Sequence, residues 1–206
     1  MAYEVLIIHN GYSKVVEGGM EANCTCTLIK GKYNVIVDTM TPWDSELILK
    51  GLEKYGVQPN DIHFIVSTHG HSDHIGNNNL FLNSTHIVGH SISKKNLYFD
   101  DPFSEGNPYY IDGDDLKIIA TPGHTQTDVT VMVKTADGIV AVAGDLFEKK
   151  EDLENEFIWL SAGSECPVLQ KYNRRMILQL ADYIVPGHGE MFKVTEEIKN
   201  KCFVQK

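Results

Sequence analysis

The run Ile62-His63-Phe64-Ile65-Val66-Ser67, continued by Thr68-His69-Gly70-His71-Ser72-Asp73-His74, decides how the rest of the chain is read. Its first half is apolar and β-branched, the pattern of a buried strand. Its second half sets three histidines and an aspartate into the six positions 69–74. The loop therefore leaves a strand's carboxyl end, where open α/β sheets place their sites. Neutral imidazole is a metal ligand, and a carboxylate adds charge and an oxygen donor. A polar surface loop with a chance histidine cluster is the bland alternative. Spacing of this kind supplies donors to two metals at once, so other strand ends should complete the set.

Taken in order, Val5–Ile8 reads as a first strand, followed by a polar loop marked by Asn10-Gly11-Tyr12 and Gly18-Gly19. Thr25–Lys30 and Tyr33–Val37 form a hairpin around Gly31-Lys32. Its second strand ends in Asp38, which either caps a helix or orients a metal-ligating histidine from behind. Thr41 and Pro42 open a helix with Leu47, Ile48, Leu52 and Tyr55 on one face, closed by Gly56. Asn77–Leu82 is a short helix and Thr85–Val88 a strand. Residues 91–110 form a long irregular loop. Strands follow at 116–120, 129–133 and 139–142, with a turn at Ala136-Asp137-Gly138. The acidic segment Glu148–Glu156 is read as a solvated face in preference to a substrate contact. Pro167–Leu180 is a helix, Tyr183–Val185 a last strand and Glu196–Cys202 a final helix. Strands with dispersed helices point to an α/β sandwich rather than a regular βαβ series.

A length of 206 residues suits one domain spanning 1–206 with a sizeable core. The formal net charge of −10 repels nucleic-acid phosphates at long range, so a general nucleic-acid binder is disfavoured unless a local basic patch or bound metal overrides the field. The four cysteines, Cys24, Cys26, Cys166 and Cys202, lack zinc-finger spacing and are too few for a disulfide scaffold. Cys24 and Cys26 read as buried thiols, a redox pair being the lesser alternative. The N-terminus has no basic segment ahead of its short apolar run, and no stretch reaches transmembrane length. The expectation is a protein of the cytosol, with the nucleus open, and no membrane partner.

Three later strand ends each carry a potential ligand: His124 and His188 in Pro-Gly-His turns, and Asp145 after Ala143-Gly144. Glycine admits close backbone approach and proline sets the entry angle. With these residues in view, the chain resembles the metallo-β-lactamase superfamily. That family's His-x-His-x-Asp-His loop matches His69, His71, Asp73 and His74. Its later histidine, bridging aspartate and final histidine match His124, Asp145 and His188, and its supporting aspartate matches Asp38. The likeness runs from about residue 24 to 190. It implies an αββα sandwich of two mixed sheets flanked by helices. It also assigns His69, His71 and His124 to one metal and Asp73, His74 and His188 to the other, with Asp145 bridging. The first set suits Zn²⁺ with an open water position, and the harder second set accepts Zn, Fe or Mn. Two such divalent ions can share one hydroxide and lower its pKa toward 7, with Asp73 orienting it and Asp145 holding both ions.

Departures from the family pattern narrow the chemistry. Asp145 stands where true β-lactamases usually have cysteine. Gly70 stands where glyoxalase-II-type thioesterases usually have histidine, and the residues after His188 leave little room for their helical domain. Ser67–Asn77, Gly123-His124-Thr125 and Gly144-Asp145-Leu146-Phe147 resemble a subgroup linked to endonuclease action on histone pre-mRNA. The leading expectation is therefore a dinuclear phosphodiesterase or endoribonuclease with RNA as substrate. A thioesterase or other small acyl hydrolase, acting on a small thioester, is the alternative. An iron-dependent oxygenase or a non-hydrolytic metal-binding protein comes last, because all second-site ligands are retained. A basic rim is expected from Lys94, Lys95, Lys149, Lys150, Arg174 and Arg175, diluted by Glu148, Glu151, Asp152 and Glu154. His9, His63, His86 and His90 have no partner motif. His63 is expected to pack inside, and substrate contact is the lesser reading for His86 and His90. The loops at 10–20 and 91–110 are open to two uses, a homodimer contact or a pocket lid.

Overall fold

The computed structural model describes residues 2–204, with side chains through Lys201, so the Cys202 thiol lies outside the described residues. The N-terminal half builds a seven-stranded sheet. In chain order it holds β1 (Glu4–His9), a projecting hairpin β2 (Tyr12–Val16) and β3 (Gly19–Asn23), then β4 (Cys26–Lys30) and β5 (Val35–Val37). Helix α1 (Ser45–Lys54) leads to β6 (Phe64–Ser67), and the one-turn α2 (Ser72–Ile75) to β7 (Thr85–Val88), β8 (Ser91–Lys94) and β9 (Leu97–Tyr98). The sheet order is β1-β4-β5-β6-β7-β8-β9, with β5, β6 and β7 parallel. The second half builds a six-stranded sheet in sequence order from β10 (Tyr109–Asp112), β11 (Leu116–Ala120), β12 (Val129–Thr135) and β13 (Gly138–Gly144). After α3 (Phe157–Ser161) and α4 (Pro167–Leu180), it is completed by β14 (Tyr183–Pro186) and β15 (Phe192–Lys193). Helix α5 (Glu196–Val204) closes the chain.

The side-chain period of two explains the layering. In β5, Val35 and Val37 point into the space between the sheets while Ile36 points to α1. In β12 and β13, Val131, Val133, Val140 and Val142 meet the first sheet, whereas Met132, Ala141 and Ala143 meet the α4–α5 layer. Strands buried on both faces read as continuous apolar runs, and helix, sheet, sheet and helix stack in four layers, an αββα sandwich.

Several expectations are corrected. The segment at 10–20 is the β2–β3 hairpin, turning at Gly18 with φ +83°. Its strands are largely exposed, so they carry no apolar alternation to read. The 91–110 segment contains β8, β9 and the start of β10. Thr41 does not cap α1. Thr41–Asp44 forms a turn of its own, closed by Asp44 N–H to the Thr41 carbonyl (3.0 Å), and the helix starts at Ser45. The Asp44 carboxylate is engaged instead by the Thr41 hydroxyl and by Asn23 Nδ2 (2.8 Å). Asn77–Leu82 contains only a 3₁₀ turn, at Asn78–Leu80. His63 is exposed, accepting from Asn34 N–H (3.1 Å) and meeting the Tyr33 ring edge-on. Among the described residues no helix is long and apolar enough to cross a membrane.

Candidate metal centre

Parallel pairing puts the carboxyl ends of β5 and β6 on one edge, and those of β13 and β14 on the facing edge of the other sheet. The loops leaving these ends, with that after β11, converge. Donor atoms of His69, His71, His124 and Asp145 form one group, and those of Asp73, His74 and His188 a second, each within 4.8 Å. All seven residues singled out in the sequence thus fall in two adjoining clusters.

In the first cluster His69 Nε2 lies 2.8 Å from His71 Nδ1, and His124 Nε2 lies 3.1 Å from that same atom. Asp145 Oδ2 is 3.7 Å from His69 and 3.4 Å from His124. Four ligands around an ion with bonds of about 2.0–2.1 Å need tetrahedral edges of roughly 3.3 Å, so this set fits a small divalent cation. In the second cluster His74 Nε2 is 3.2 Å from Asp145 Oδ1, and His188 Nε2 is 3.2 Å from Asp145 Oδ2. Asp73 Oδ2 stands 3.9 Å from both imidazoles. Asp145 therefore faces both groups. His74 Nε2, His124 Nδ1 and Asp145 Oδ1 are buried with no hydrogen-bond partner, and the first and last of these point at the second cluster. Buried polar atoms are rarely left so, and a cation there would satisfy them.

The supports behind the ligand-type residues are specific. Asp38 lies 3.0 Å from His74 Nδ1 and accepts the Thr68 N–H at 2.7 Å. His188 Nδ1–H donates to the Asn23 carbonyl (3.0 Å), which leaves Nε2 free toward the cluster. The His188 N–H donates to the Glu148 carbonyl (2.8 Å), and Gly187 N–H to Gly144 and Phe147 carbonyls. A Cβ on Gly187 would fall on the Asp145 carboxylate, so only glycine fits there. Helix α4 braces two loops: Gln170 Nε2 donates to the Asp145 carbonyl (3.0 Å) and Asn173 Nδ2 to that of Pro122 (2.7 Å). The buried Asp128 carboxylate ties the His124 loop by accepting Thr125 N–H (2.7 Å) and its hydroxyl (2.6 Å), and burial pushes Asp128 up to about 7.

Electrostatics differ between the clusters. Burial, then neighbouring imidazoles, holds His69 well below the usual value, and burial likewise lowers His124. Burial also opposes charge on His74 and His188. The carboxylates prevail there: Asp145 and Asp38 hold His74 well above the usual value, and Asp145 takes His188 up to about 9. Burial disfavours the Asp145 charge as well, yet His188, His74 and His69 keep it well below the usual carboxylate range.

Three residues expected on the surface, Glu148, Asp152 and Arg174, are buried. Glu148 is 2% exposed, and its donor oxygen lies within 4.8 Å of those of Asp145 and His188. Arg174 is 6% exposed and pairs with the fully buried Asp152 at 2.6 Å, between the Phe147 and Trp159 rings. The acidic segment is thus partly interior, because Asp152 holds the Glu148 N–H (2.8 Å) and Arg174 neutralises Asp152. Being only three residues beyond Asp145 was the one signal for Glu148. Lys149 and Lys150 line a groove of about 590 Å³ together with His188, Lys193, Tyr12, Glu151 and Glu190. Lys94 and Lys95 sit instead at the β8–β9 turn. His86 Nε2–H donates to the Phe81 carbonyl (3.1 Å), and the His90 ring meets that of Phe103 at a tilt (5.1 Å) near Asp101. Neither they nor His9 and His63 join the metal-type clusters among the described residues.

Comparison with known proteins agrees with this geometry. The family model described as "Metallo-beta-lactamase superfamily" matches residues 19–188. The chain is 41% identical over 195 residues to metallo-beta-lactamase domain-containing protein 1 of Xenopus laevis, covering 93% of this chain and 82% of that one. It spans 50–64% of the length of four other curated relatives that it matches at 37–44% identity. An N-acyl homoserine lactonase of Bacillus sp. is 28% identical over 174 residues, covering 79% of this chain and 68% of its own. A solved structure of a putative metallo-beta-lactamase from Thermotoga maritima superposes with a TM-score of 0.68 at 20% identity, covering 94% of this chain and all of that one. The chain belongs to the metallo-β-lactamase superfamily of metal-dependent hydrolases.

Proposed function

We propose that this chain is a dinuclear phosphodiesterase that cuts single-stranded RNA, with Zn²⁺ in the first cluster and Zn²⁺, Fe²⁺ or Mn²⁺ in the second. His69, His71 and His124 would hold one ion, Asp73, His74 and His188 the other, and Asp145 both. Two cations there supply an acidified shared water and neutralise charge developing on a phosphoryl oxygen. The protein's own part is positioning. His71 is exposed at the mouth, so the first cluster meets substrate. Asp73, partly exposed, accepts a proton from the attacking water and aims it, while Asp38 keeps His74 in place.

The observation that carries the RNA reading is the groove at His188. Its Lys149, Lys150 and Lys193 offer ammonium groups to phosphates flanking the scissile one. Glu151 and Glu190 share the wall, and the whole molecule is acidic, so binding is local and salt-sensitive. The likeness to an N-acyl homoserine lactonase favours a second reading, a thioesterase or other small acyl hydrolase.

The deciding experiment compares metal-loaded protein on bis(p-nitrophenyl) phosphate, single-stranded RNA and S-lactoylglutathione. Turnover of both phosphodiesters is expected, with kcat/KM on RNA falling as salt rises. Lys149→Ala/Lys150→Ala should flatten that salt slope, each lost phosphate contact removing about 0.7 from it, and spare the small phosphodiester. Thioester turnover with both phosphodiesters inert overturns the reading. One iron per chain and no hydrolysis moves it to oxygenase chemistry.

A further inference from the structure

The loop leaving β13 holds a carboxylate that the seven-residue set does not use. Glu148 is pinned by its backbone on both sides: its N–H donates to Asp152 Oδ2 (2.8 Å) and its carbonyl accepts the His188 N–H (2.8 Å). Its side chain is 2% exposed. Among the described residues no lysine or arginine pairs with it. The buried Arg174 guanidinium is committed to Asp152 through contacts of 2.6 and 2.9 Å and to the Leu146 carbonyl. A buried carboxylate without a cationic partner either takes up a proton or meets a metal. The Glu148 donor oxygen shares a 4.8 Å cluster with those of Asp145 and His188, all three residues buried.

The geometry points to Glu148 as a further ligand of the second cation, giving that site three carboxylates and two imidazoles. Five such donors form a harder site of higher coordination than the three imidazoles of the first cluster, suited to Mn²⁺ or Fe²⁺. The centre then loads unequally, with a borderline ion such as Zn²⁺ among the imidazoles and a harder ion beside Glu148. This rests on the metal-dependent reading above, and its test reads metal rather than turnover.

Wild-type protein and Glu148→Gln are stripped, dialysed against Mn²⁺ or Zn²⁺ and assayed for metal per chain, with free Mn²⁺ followed by electron paramagnetic resonance. The variant should keep one ion and bind the second at least 100-fold more weakly, beyond the roughly 10–100-fold typical of a group behind a ligand. With Co²⁺ in the second site, its visible bands should strengthen in the variant as the coordination number drops. Unchanged binding of two ions overturns the inference, as does an unchanged Co²⁺ band shape. Loss of both ions with a lower metal-free Tm also overturns it, since that marks collapse of the loop. Glu148-dependent binding beside inert phosphodiesters would remove the proposed substrate and leave this inference standing.

Discussion

The two clusters at the sheet edges are built differently. The first collects imidazoles and stays open: His71 is exposed, and His124 Nδ1 has no partner behind it. The second is braced from behind. His74 is fully buried against Asp38, His188 is fixed by the Asn23 carbonyl, and Glu148 sits over a buried Asp152–Arg174 pair. Both share the Asp145 carboxylate. Nitrogen donors with an open side suit an ion that must meet solvent and substrate. A rigid, oxygen-rich pocket suits an ion held as a fixed charge.

The largest effect should come from the group common to both. Asp145→Ala is expected to lower hydrolysis by about 10³-fold or more, near 4 kcal/mol of transition-state stabilisation, and to cut bound metal below two ions per chain. Circular dichroism should stay native, and a variant that keeps two ions would remove Asp145 from the shared position. Next, Arg174→Ala strips the partner from a buried carboxylate and should cost about 3–5 kcal/mol in urea unfolding, while Arg174→Ala/Asp152→Ala recovers part of the loss. Equal stability of the single variant would show that the second half does not depend on this brace.

A smaller and more selective effect is expected from Asp38→Asn. Second-ion affinity should fall about 10–100-fold with the first ion untouched, read by competition with a chromogenic chelator. Equal loss at both ions would blur the distinction between the halves. The smallest effect lies in the His124 loop. Asp128 titrates near 7 when folded against 3.8 unfolded, so the folded state binds the extra proton between those values. Stability contributed by that proton is complete below pH 3.8 and is lost as pH rises through about 7. Asp128→Asn should flatten this fall in Tm between pH 5 and 8, and an unchanged slope would assign it elsewhere.

Reading from sequence succeeded where local order carries the physics. Pro167–Leu180 has proline at its first turn and an apolar face at helical spacing, and it is α4 with those ends. The apolar run before Thr68 is β6, because a strand buried on both faces shows itself in four or five consecutive residues. The β2–β3 hairpin escaped notice because its exposed strands lack a buried face to pattern. The true start of α1 was hidden because Asn23, a residue of β3, engages Asp44.

Local order also placed ligand-type residues at the carboxyl ends of β5, β6, β11, β13 and β14, since a strand end and its following turn are properties of adjacent residues. It did not say which donors would face one another. His188 comes to Asp145 across 43 positions, and its imidazole leans on Asn23 across 165. The same holds for charge. Glu148 to Glu156 looks solvated in isolation, and only the packing of α4 takes Asp152 inside with Arg174, while Glu148 lies beside Asp145 and His188. Burial of a charged group depends on a partner brought from elsewhere in the chain, and that partner exists only once the two sheets and their helices have closed.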